Sequence, residues 1–156
     1  MVSAAARPVF AALATLAGSM GWKLRSFEHG GNLVTVAVLE GDASFEQLLW
    51  TVDEARGFVR CVLVSRGSVR AERESAVLEL CARINQGLAF GCAEYDFGER
   101  TVVYRDCAEY GGQPVPESVE RLTARVLRLG NRYAPALADT IAGAAAKDAV
   151  LRAEAQ

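Results

Sequence analysis

Residues 76–104 read AVLELCARINQGLAFGCAEYDFGERTVVY, and this run decides the fold because one hydrophobic period gives way to another inside it. Val77, Leu80, Cys81, Ile84 and Leu88 recur at i, i+3, i+4, i+7 and i+11, the spacing that a helix gathers onto one stripe. Asn85 and Gly87 predict the helix end, Gly87 as a left-handed cap that carries no Cβ penalty. Residues 91–105 then predict two short strands about a tight turn at residues 97–100. A helix that feeds directly into a hairpin, in a chain with no reactive constellation elsewhere, looks like a binding module.

Outward from this run, the same reading extends in both directions. On the N-terminal side, residues 58–64, Phe-Val-Arg-Cys-Val-Leu-Val, predict a strand, preceded by a polar turn at residues 53–57 and by a further strand across residues 45–52. That further strand is ambiguous in period, since Phe45, Leu48, Leu49 and Val52 also suit a helical stripe. Earlier still, His29-Gly30-Gly31-Asn32 joins two strand patterns into a hairpin. Its second strand carries Val34, Val36 and Val38 on one face and Leu33, Thr35, Ala37 and Leu39 on the other. Two apolar faces on an antiparallel strand call for cover from a helix or a partner. Val9, Leu13, Leu16 and Met20, with Pro8 in the first turn, predict a docking helix rather than a leader, and its apolar stretch is too short to cross a bilayer.

On the C-terminal side, a turn-rich loop at residues 111–116 precedes Val119, Leu122, Val126, Leu129 and Tyr133, the stripe of a long helix. Pro135 is expected to interrupt or kink it, having no amide hydrogen to donate. Residues 1–143 are read as one domain. Residues 144–156 form a helical or frayed tail with Val150 and Leu151 as its packing residues, or an appendage for a second subunit.

Charge and composition narrow the function classes. The 156 residues carry 17 Lys and Arg against 19 Asp and Glu, a net charge of −2, which offers no general attraction to nucleic acid or to anionic lipid. Cys61, Cys81, Cys92 and Cys107 show no metal-ligand spacing and are read as reduced thiols of a cytoplasmic protein, two of them on apolar stripes. His29, the one histidine, sits in a turn without a nucleophile of matching pattern. The glycine pairs at residues 30–31 and 111–112 lack the strand-to-helix setting of a phosphate loop. No carboxylate pair sits in an apolar pocket that would separate two pKa values. The expectation is therefore no enzyme, no metal and no cofactor.

One charge pattern stands out. Arg121, Arg125, Arg128 and Arg132 are spaced four, three and four along the last long helix and line a single ridge. The ridge is read as a solvated helix face, with grip on an acidic partner as its functional alternative. For a binding module, Trp50, Phe58, Tyr95 and Tyr104 are the aromatic candidates for contact with a partner.

Residues 83–96, Arg-Ile-Asn-Gln-Gly-Leu-Ala-Phe-Gly-Cys-Ala-Glu-Tyr-Asp, with Val102-Val-Tyr-Arg and Asn131-Arg-Tyr-Ala-Pro-Ala-Leu137, resemble the motifs of the YbjN family. The domain of that family is similar to type III secretion chaperones. Asn85, Gly91, Asp96, Tyr104, Arg105, Arg132, Tyr133 and Pro135 fall on motif positions, whereas Asn131 stands where the family has Asp. The resemblance implies a compact α+β domain, a twisted, mainly antiparallel sheet packed by helices, often dimeric. The secretion chaperones bind extended segments of other proteins on apolar surface. The expected function is thus a non-enzymatic protein-binding module, a homodimer that takes an unknown protein partner through its apolar sheet. The alternative is a regulatory domain with a small apolar ligand between sheet and helices.

Overall fold

The computed structural model describes residues 7–109 and 116–155. Of the loop expected at residues 111–116, residues 111–115 lie outside them, and Pro116 opens α3. The elements run α1 (Arg7–Met20), β1 (Leu24–His29), β2 (Asn32–Val38), β3 (Phe45–Asp53), β4 (Phe58–Ser65), a 3-10 turn (Ala71–Arg73), α2 (Glu74–Gln86), β5 (Cys92–Asp96), β6 (Thr101–Glu109), α3 (Pro116–Ala142) and α4 (Ala146–Glu154). The strands form one antiparallel sheet in the order β1-β2-β3-β4-β6-β5. This is the α+β class that the motif resemblance implies, and residues 45–53 resolve as strand.

Strand parity divides the sheet into two faces. In β4, exposure alternates residue by residue: Val59, Cys61, Leu63 and Ser65 are buried while Phe58, Arg60, Val62 and Val64 are half-exposed. Cross-strand register carries that alternation sideways, setting Cys61 opposite Trp50 and Leu63 opposite Tyr104. This buried set faces Val77, Leu80 and Ile84 of α2 and Val119, Leu122 and Val126 of α3, and together they make the core. α1 packs on α3, and α4 packs on both α2 and α3, so the helices stack in a layer over one side.

Close approach fixes the height of that layer. A side chain at Gly130 would overlap Leu63 and stand 3.0 Å from Cζ of Phe45, so α3 lies against the sheet where it has only hydrogen to offer. The β1–β2 hairpin turns on Gly30 and Gly31 at φ +58 and +78, the two left-handed positions of a two-residue turn that matches strand twist.

Several expectations change. Pro135 does not interrupt α3, which continues to Ala142; the packing of Tyr133, Ala136 and Leu137 into the core holds the helix through the missing amide bond. Gly87 closes α2 in the right-handed region, with φ −96. Met20 falls off the buried stripe of α1, whose inward residues are Val9, Ala12, Leu13 and Ala17. The C-terminal segment needs no second subunit to bury its small face. Ala146, Ala149, Val150 and Ala153 are in the core, and Arg152 pairs with Asp139 of α3 at 2.7 Å.

Candidate functional site

The second face of the sheet has no helix over its central strands. To this face belong Val34, Val36 and Val38 of β2, Gln47, Leu49 and Thr51 of β3, Arg60, Val62 and Val64 of β4, and Thr101, Val103 and Arg105 of β6, among which Val34, Val36, Thr51 and Thr101 are buried. Register sets Val36 opposite Leu49, Leu49 opposite Val62, and Val64 opposite Val103, so the apolar side chains touch from strand to strand. The twist of the sheet and the turns at its end shape this face into a half-open groove of about 790 Å³, lined by strand and loop residues alone.

The groove is apolar along its floor and charged at its ends. Leu49, Val62, Val64 and Val103 form the floor; Glu46, Asp96 and Glu99 stand at one lip, and Arg60 lies toward the other end. Asp96 builds that lip, because its Oδ1 accepts the amides of Gly98 and Glu99 at 2.8 and 3.1 Å and so fixes the β5–β6 turn. Across the wall, Arg105 donates through Nε and Nη2 to Glu94 at 2.5 and 2.6 Å, a two-pronged pair. The Arg105 guanidinium holds the Glu94 carboxyl below the usual carboxylate range, and Glu94 in turn raises Arg105. Arg60 carries a buried Nε with no hydrogen-bond partner.

The aromatic candidates of the sequence reading do not meet in this groove. Trp50 is 1% exposed, Tyr104 0% and Tyr95 8%; all three have the parity of the covered face and pack under the helices. Each uses its bulk in the core: Trp50 reaches Thr123 of α3, Tyr104 stacks edge-on with Phe45, and Tyr95 reaches Glu74 of α2. Phe58 has the parity of the open face and is half-buried at its far end, opposite Asp53 and Glu109. The exposed aromatic on that face is Phe27 of β1, 50% exposed and paired with Val34.

The arginine ridge is divided. Arg125 is committed to the fold: its Nε lies 2.8 Å from Asp106 of β6 and its guanidinium sits over the Phe90 ring. Arg121, Arg128 and Arg132 are exposed, with Arg132 over the ring of Tyr133. Cys61 and Cys81 are buried, Cys92 is half-buried and Cys107 is exposed. Among the described residues, no group of three or more His, Cys, Asp and Glu is placed to hold a metal ion. None of their helices is long and apolar enough to cross a membrane.

Between sheet and helices, where the alternative reading sets a small apolar ligand, Phe45, Trp50, Tyr104 and Tyr133 fill the layer, none more than 2% exposed. The groove residues carry one sequence signal that the aromatic search passes over. Arg60 is the single charge in an otherwise apolar strand, and it marks the parity that faces water, with Val62 and Val64 beside it.

No family model matches the chain, and no curated protein matches it. Among solved structures it is similar to a chain of the HopA1–SchA chaperone–effector complex, with a TM-score of 0.53 and 14% identity, over 84% of this chain and 96% of that one. It is also similar to YbjN from E. coli, with a TM-score of 0.48 and 17% identity, over 77% and 84%. These are the two kinds of protein that the motif resemblance names. The likeness to the chain of that complex is one of fold: a mainly antiparallel sheet with helices packed on it.

Proposed function

We propose that this chain is a non-enzymatic, chaperone-like binding module that takes an extended segment of another protein on the open face of its sheet. The observation that carries the reading is the unroofed apolar floor of Leu49, Val62, Val64 and Val103 beneath charged lips. A floor of this kind removes water from apolar side chains of a partner, at about 25 cal/mol per Å². The chaperone-like fold supports the same reading. A homodimer is the expected state, and the β1 edge supports it. In a two-residue hairpin the flanking pair His29 and Asn32 exchanges both hydrogen bonds, so Leu24 and Ser26 turn their backbone groups outward for another strand.

Fluorescence anisotropy with labelled peptides that alternate apolar and polar residues tests the groove. Binding by the native chain and its loss in Leu49→Glu, with the fold of the variant verified by circular dichroism, are the expected results. Equal binding by both proteins would remove the groove from the proposal. Light scattering tests the dimer, and a monomer at every concentration would end that part of it.

A further inference from the structure

Resting on that reading of the groove, we infer that it selects its segment by charge, taking an apolar stretch that carries an acidic side chain at the Arg60 end and a basic one at the Glu46, Asp96 and Glu99 lip. Three observations fix this polarity. First, the charges of the groove wall are not interchangeable. Glu94 and Arg105 satisfy each other at 2.5 and 2.6 Å, which leaves Arg60 as the cation at one end and three carboxylates at the other. Second, these remaining groups are available. Arg60, whose charge also bears on Glu94, makes no ion pair among the described residues, and neither Glu46 nor Glu99 makes one. Arg66, in the turn after β4, donates to the carbonyls of Leu39, Asp42 and Phe45 and so is engaged elsewhere. Third, the spacing suits a single extended segment. Arg60 lies opposite Cys107 and Asp96 lies opposite Thr101, six residues apart on β6, or about 20 Å at strand rise.

Between the two ends the charges of Glu94 and Arg105 are spent on each other, and Leu49, Val62, Val64 and Val103 offer nothing to solvate a further one. A segment with charges of the wrong sign at the lip meets carboxylates beside a low-dielectric floor, where repulsion is poorly screened. Preference in this groove therefore comes as much from rejection at the lip as from attraction at Arg60.

Three fluorescein-labelled peptides test this. They share one alternating Val and Ser core and carry, about six residues apart, Glu and Lys, Lys and Lys, or Glu and Glu. The native chain is expected to bind the Glu and Lys peptide about tenfold tighter than the Glu and Glu peptide, the worth of one charge-assisted contact, and the gap narrows at high salt. Arg60→Glu is expected to make the Lys and Lys peptide the tightest of the three; Arg60→Gln, a milder change, flattens the difference between Glu and Lys and Lys and Lys. Equal binding of all three peptides by the native chain, abolished by Leu49→Glu, overturns the charge selection and leaves the groove standing. An unchanged ranking in Arg60→Glu also overturns it. Absence of binding by every peptide removes the groove itself, and the selection with it.

Discussion

Nε1 of Trp50 donates to Oγ1 of Thr123 across 2.9 Å, and that hydroxyl donates in turn to the carbonyl of Val119 at 2.8 Å. One threonine thus joins β3 to α3 with both its donor and an acceptor in use, deep in the core. Thr123→Val keeps the shape and strands the indole N–H. The expected cost is about 1–3 kcal/mol of unfolding free energy, read as a lower urea midpoint at unchanged slope, whereas Thr123→Ser keeps the bond and loses less. Equal midpoints for Thr123→Val and the native chain would show that the bond contributes nothing.

Gly130→Ala sets two effects against each other. Alanine gains roughly 1 kcal/mol over glycine inside a helix, but the added methyl overlaps Leu63 and meets Phe45, both fully packed. Overpacking of this kind costs about 1–3 kcal/mol. The thermal midpoint is expected to fall; a rise would mean that α3 lifts off the sheet at little expense.

The side chain of Asn85 behaves as a fragment of strand, its Nδ2 donating to the carbonyl of Ala93 at 2.9 Å and its Oδ1 accepting the Ala93 amide at 2.8 Å. Asn85→Ala removes both bonds, for about 1–2 kcal/mol, and uncovers the β5 edge. Asn85→Asp keeps only the accepted bond and is expected to fall between the two. Larger species in light scattering should accompany Asn85→Ala and not Asn85→Asp.

Burial pushes the Cys81 thiol up to about 11, and pushes Cys61 up as well. The unfolded chain ionises these thiols near 9.0 while the folded one keeps them protonated. The stability that this supplies is complete below pH 9 and is lost as pH rises toward 11. Urea midpoints taken from pH 8 to 10.5 should decline, less steeply in Cys81→Ala. With a thiol reagent at pH 8, Cys107 should react in the folded state, and Cys61 and Cys81 only after denaturant is added. Labelling of all four at one rate would contradict the burial.

Local period and turn chemistry made the fold readable. The stripe of Val77, Leu80, Cys81 and Ile84, the alternation from Phe58 to Val64 and the paired glycines at residues 30 and 31 each commit a few residues regardless of the rest of the chain. What covers a strand is a long-range matter. Val34, Val36 and Val38 look as apolar as Leu33, Thr35 and Ala37, and only the docking of α3 at Gly130 decides which set goes under the helices. Trp50, Tyr95 and Tyr104 share the parity that α2 and α3 cover, and their burial follows from it. The groove lies on the opposite parity, where smaller valines and one arginine attract less attention. Along the helix ridge, spacing alone could not separate Arg125, held by Asp106 and Phe90, from the exposed Arg121 and Arg128.

The amide of Asn85 makes the two flanks of the sheet unequal. A sheet with two bare flanks recruits copies without end and grows into a fibre. With the backbone of Ala93 in β5 held by a side chain from α2, a copy that joined through β1 would present a partly closed flank outward on each side. Any assembly through the β1 edge would therefore meet, at its outer flanks, a β5 whose Ala93 amide and carbonyl are already taken, which disfavours growth beyond two chains.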